Sequence, residues 1–110
     1  GLSSNAIIPP KEIDIPIIIY KKASNRYYRY AIELDGAIWH KKNTKSDEEK
    51  NENIKNTDWK LIRIWFKAAE KSKKEIESAF RRMSDDVCTI IMADINNEAG
   101  DWKIKYLEDY

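Results

Sequence analysis

Three acids stand where extended segments should be apolar. Asp14 lies in the isoleucine-rich run 13–20, and Glu33 and Asp35 close a second extended run, two residues apart. A pleated strand turns residues two apart to the same face, so Glu33 and Asp35 share one. Carboxylates gathered at one sheet end repel each other and raise their own pKa values unless a cation sits among them. Hard carboxylate oxygens suit Mg²⁺ or Mn²⁺, held through one or two carboxylates plus waters and a substrate phosphate. On spacing alone, solvated strand-end acids are the commoner arrangement. The single histidine, His40, follows Trp39. A neutral imidazole can accept or relay a proton near pH 7, whereas a structural or exposed histidine does neither. Basic residues come in groups: Lys21, Lys22, Arg26 and Arg29 bracket one turn, Lys41, Lys42 and Lys45 follow His40, and Lys67, Lys71, Lys73 and Lys74 follow Trp65. Such runs are most often solvated faces, and they bind phosphate only where they surround a site.

These residues need elements to position them. The run 13–20 reads as a strand, with Pro16 marking an edge or a bulge. Turn formers fill 21–25. The segment 26–34 alternates, placing Tyr28, Tyr30, Ile32 and Leu34 on one face and Tyr27, Arg29, Ala31 and Glu33 on the other. The two strands should pair as an antiparallel hairpin, broken at Gly36. Ser46 and Glu49 have capping-box spacing, so a helix is expected over 46–56; it is almost wholly polar, with Ile54 as its anchor. A strand over 60–66 follows, and strand, helix, strand implies a crossover with parallel strands. Ser72 and Glu75 form a second capping box, opening a helix with Ile76, Ala79, Phe80 and Met83 on one face and an end near 84–86. The apolar run 87–95 then reads as a buried strand. With a last strand over 102–107 it makes a C-terminal β-hairpin.

The strings around the acids add what spacing cannot. Glu12-Ile-Asp14-Ile-Pro, Ala31-Ile-Glu33-Leu-Asp35-Gly36, Trp39-His40, Asp47 and Lys50, then Trp59-Lys-Leu-Ile-Arg63-Ile-Trp65, resemble the core of the PD-(D/E)XK nuclease superfamily. The similarity is greatest to the branch of very-short-patch mismatch endonucleases and related bacterial nuclease-like domains, and it covers about half the chain. The resemblance implies an α/β, restriction-endonuclease-like mixed sheet and metal-dependent hydrolysis of phosphodiester bonds, in DNA before RNA. It makes Asp14 the metal-binding aspartate and Glu33 the acid of the (D/E)-x-K motif. Asp35 stands where that motif usually has lysine, as a further metal ligand or an orienter of water, and His40 is the candidate proton relay. Lys50 and Lys60 are the lesser candidates for the missing lysine. Arg63 pairs with an acid of the site or reaches phosphate. Trp39 stacks on a base or packs the sheet. Lys21, Lys22, Arg26, Arg29, Lys41, Lys42 and Lys45 would hold phosphates, and Mg²⁺ or Mn²⁺ is the implied cofactor.

Length and composition allow this reading. A chain of 110 residues has room for one domain, placed at 7–110, with 1–6 patternless and taken as a tag remnant or lead-in. Net charge is +1 with 35% charged residues, so a dense mixed surface is expected and nucleic acid is neither favoured nor excluded. No apolar run approaches the ~20 residues of a membrane helix. The single cysteine, Cys88, falls inside the apolar run 87–93. That reads as a buried thiol and a reducing cytoplasm. The family core has a helix and a strand ahead of the aspartate strand, so either the chain is a piece of a larger protein or the C-terminal hairpin supplies the missing edge; a homodimer or a larger parent chain is the partner expectation. Two other readings stand beside the nuclease: a catalytically degenerate nucleic-acid-binding module on the same fold, and a small interaction or regulatory protein.

Overall fold

The computed structural model describes residues 13–36, 45–96 (side chains from Glu48 onward) and 101–110. Four strands form one mixed sheet in chain order. β1 (Ile15–Lys21) and β2 (Arg26–Gly36) make the expected antiparallel hairpin, with Ile17 opposite Tyr30 and Tyr20 opposite Tyr27. The turn closes on Asn25, whose φ of 49° is left-handed, a conformation that asparagine tolerates better than most residues. α1 (Lys45–Lys55) crosses over to β3 (Trp59–Phe66), which pairs parallel to β2 with Glu33 opposite Arg63 and Asp35 opposite Trp65.

Strand alternation sorts the core into two layers. On one face Tyr28, Tyr30, Ile32, Ile62, Ile64 and Phe66 pack against α2 (Lys73–Ile95). On the other, Ile13, Ala31, Trp59 and Leu61 enclose Ile54 of α1 in a much smaller cluster. The polar helix thus holds to the sheet by one apolar residue, as its composition implies. No helix among the described residues is long and apolar enough to cross a membrane.

The C-terminal third corrects the sequence reading. Residues 87–95 are not a strand; they are the second half of α2, which is one helix of 23 residues. Its capping box is as expected: Ser72 Oγ accepts from the Glu75 N–H, and Glu75 Oε1 from the Ser72 N–H, both at 3.2 Å. Ser84, Asp85 and Asp86 do not end it, because they lie on its solvent side and include neither glycine nor proline. The apolar stripe passes them in helical step, through Ala79, Met83, Val87, Ile91 and Ile95. The C-terminal β-hairpin is therefore absent. β4 (Ile104–Leu107) instead pairs parallel with β3, with Ile104 opposite Leu61, and α2 is the second crossover. Cys88, expected in a buried strand, is exposed on α2.

Candidate active site

Glu33 is 3% exposed, on the face of β2 that carries Ala31 and Asp35. The hairpin register brings Asp14 beside it: Ile15 opposes Ile32, so Asp14 falls one step before the pairing, next to Glu33. The Leu34 N–H donates to Asp14 Oδ2 at 2.9 Å, holding that carboxylate at the strand end, where it is exposed. From the opposite side α1 supplies Lys50, whose Nζ donates to Glu33 Oε1 at 2.9 Å. Burial, the largest influence, pushes the Glu33 carboxyl up to about 7. The Asp14 carboxylate beside it adds to the rise, and Lys50 acts against it.

A second charged pair lies next to the first. Arg63 of β3 is 4% exposed, and its Nη1 reaches both Asp35 carboxylate oxygens at 3.2 Å. Arg63 Nε donates to Asn51 Oδ1 at 2.8 Å, and Asn51 Nδ2 donates to the Tyr106 hydroxyl at 3.1 Å. The polar character of α1 acquires a reason here. Lys50, Asn51 and Ile54 share its inner face, and at this end the sheet offers it carboxylates and a guanidinium instead of side chains to bury.

The five charged groups, Asp14, Glu33, Asp35, Lys50 and Arg63, carry three negative charges against two positive when Glu33 is ionised. Among the described residues, no group of three or more His, Cys, Asp or Glu side chains is arranged to hold a metal ion. The acids that adjoin are Asp14 and Glu33, and Asp35, expected as a third donor, is turned to Arg63. Two adjoining carboxylates fit what Mg²⁺ or Mn²⁺ takes from a protein when waters and a phosphate complete its shell.

Of the residues singled out in the sequence, Asp14, Glu33, Asp35, Lys50 and Arg63 come together. Lys60 does not: it lies on the opposite face, where its Nζ meets Asp94 Oδ1 at 2.6 Å. Lys21 turns to the Ile95 carbonyl at 3.0 Å and caps the end of α2. Lys22 and Arg26 are exposed at the hairpin turn, and Arg29 lies partly exposed three residues further along β2. Trp39, His40, Lys41 and Lys42 lie outside the described residues, as does the Lys45 side chain. Asn51 and Tyr106 were missed. Asn51 follows Lys50 on a helix that buries little, the only signal pointing to it, and nothing in the local pattern marks Tyr106. No family model matches the chain, and no curated protein or solved structure does either.

Proposed function

We propose that this chain is a metal-dependent endonuclease that hydrolyses phosphodiester bonds, with DNA as its first-choice substrate. One observation carries the reading: Asp14 and Glu33 adjoin at the end of a hairpin in a mixed sheet, and a lysine from the crossover helix lies 2.9 Å from Glu33. The sequence has no lysine two residues after Glu33, and Lys50 is the amine that reaches it in space. Asp14 and Glu33 would hold the cation. When bound, Mg²⁺ or Mn²⁺ polarises a phosphoryl oxygen and makes water a better nucleophile. Lys50 orients the Glu33 carboxylate and places a positive charge beside the two acids, where a phosphate would lie. Asp35 fixes Arg63 in place, as a positioning residue. His40 keeps the role that the family resemblance implies, a proton relay.

The test is cleavage of single- and double-stranded DNA and RNA with Mg²⁺ or Mn²⁺, with and without a chelator. Glu33→Ala should abolish cleavage while binding persists, since cations carry the affinity. Lys50→Ala and His40→Ala should each slow cleavage by roughly 10²-fold. Cleavage that survives Glu33→Ala would sink the proposal. The second reading, a binding module without catalysis, is favoured by the bonding of Asp35 to Arg63, which leaves two carboxylates rather than three for a cation. Binding without cleavage under every metal would select it.

A further inference from the structure

The hairpin carries a surface that neither core accounts for. On the sheet face of Glu33 and Asp35, but at the opposite end of β2, Tyr20 and Tyr27 form a cross-strand pair with ring centroids 4.9 Å apart. They are 47% and 54% exposed, and Ile18 beside them is 57% exposed. The Arg29 guanidinium lies 5.5 Å from the Tyr27 ring centre, and Lys22 is exposed at the turn. Among the described residues, α1 packs over β3, and the Tyr20–Tyr27 end of the sheet stays exposed. Three large apolar side chains in the open, bordered by cations, cost solvation without adding to either core.

We propose that Tyr20 and Tyr27 are a base-stacking platform that binds a single strand of nucleic acid, with Arg29 and Lys22 on its phosphates, leading it to Glu33. The occupant follows from chemistry. Exposed tyrosine rings among cations match unpaired bases joined by phosphates, because every base has a π-face and every link a negative charge. A duplex hides those faces. Tyr27 and Glu33 are six residues apart on one strand, roughly 20 Å along it, so a bound strand would cover a few nucleotides on its way to the acids. The proposal takes its direction from the nuclease reading, but its test does not depend on cleavage.

Binding is measured with chelator present, using a short fluorescein-labelled oligothymidylate and a duplex of equal length. The oligothymidylate should bind the wild type more tightly than the duplex does. Tyr20→Leu with Tyr27→Leu keeps the pair apolar, and it should weaken strand binding at least about tenfold, whereas Tyr20→Phe with Tyr27→Phe should retain it. Arg29→Gln with Lys22→Gln should flatten the salt dependence by about 0.7 per lost phosphate contact. If the leucine variant does not fold, iodouracil photocrosslinking on wild type decides instead: crosslinks should map to Tyr20 or Tyr27. Equal binding by the leucine variant, tighter binding of duplex, no binding at all, or crosslinks confined elsewhere would each overturn the platform. A chain that binds through these tyrosines and never cuts would remove the nuclease reading alone. One that cuts with unchanged KM in the leucine variant would remove the platform alone.

Discussion

Glu33 must be buried and still able to carry charge, and that conflict has a measurable consequence. Its carboxyl is raised to about 7 by burial, against an ordinary value of 4.5. Between those values the folded chain holds a proton on Glu33 that the unfolded chain has released. Stability from this group is therefore full below about 4.5 and is lost as pH rises through about 7. In chelator, unfolding free energy measured by urea should fall across that window, and Glu33→Gln should flatten the fall. An unchanged slope in the variant would place the titration elsewhere. Asp35 and Arg63 behave differently, because each neutralises the other. Arg63→Met alone leaves a buried carboxylate without its guanidinium and should cost about 3 kcal/mol or more. Adding Asp35→Leu should recover part of that in denaturant unfolding, since breaking a buried ion pair costs more than replacing both members. If the double variant is no better than the single, Arg63 matters for its bond to Asn51 instead.

Among the elements, those with local punctuation were legible in the sequence. The hairpin had two β-rich runs around a turn, α2 had a capping box that forms, α1 had capping-box spacing at Ser46 although the helix begins at Lys45, and β3 had clear flanks. Alternation put Glu33 and Asp35 on one face and the expected hairpin put Asp14 at the same sheet end, whereas the pairing of Asp14 with Glu33 came from the family resemblance, and the register sets the two side by side. What failed was the middle of α2. Val87, Thr89, Ile90 and Ile91 have β-branched side chains, and Ser84-Asp85-Asp86 resembles a turn, so local propensity argued for a break and a strand. Packing decided otherwise: Val87, Ile91 and Ile95 extend the stripe of Ala79 and Met83 onto one face of the sheet. Local pattern also could not show that Lys50 reaches Glu33, which depends on the crossover. Proline at position 85 distinguishes helix from turn. A turn would accept it, but in the interior of α2 Asp85→Pro should cost about 3 kcal/mol or more, read as a lowered denaturation midpoint. A small effect would show that the helix is already interrupted there.

At the level of the whole molecule, the two sides of the sheet are unequal. α2 is fastened along its length: Tyr30 donates to Asp94 at 2.6 Å, Tyr110 donates to Asp86, and six of its residues are buried. α1 is held by Ile54 in a small cluster and by polar bonds from Lys50 and Asn51. Apolar burial at about 25 cal/mol per Å² favours α2 heavily, and bonds that water can replace add little to α1. The layer carrying the lysine of the candidate site is therefore the one most easily opened. Amides of α1 should exchange with deuterium at a free energy well below the global value, while those of β2, β3 and the α2 interior should exchange only on global unfolding. Ile54→Ala should widen the gap by removing the one apolar anchor. If divalent cation and strand bind together at the α1 end of the sheet, they should slow α1 exchange selectively, because the strand's phosphates would add acceptors for Lys50. Exchange of α1 at the global rate, with or without them, would mean that the polar layer is as integral to the fold as α2.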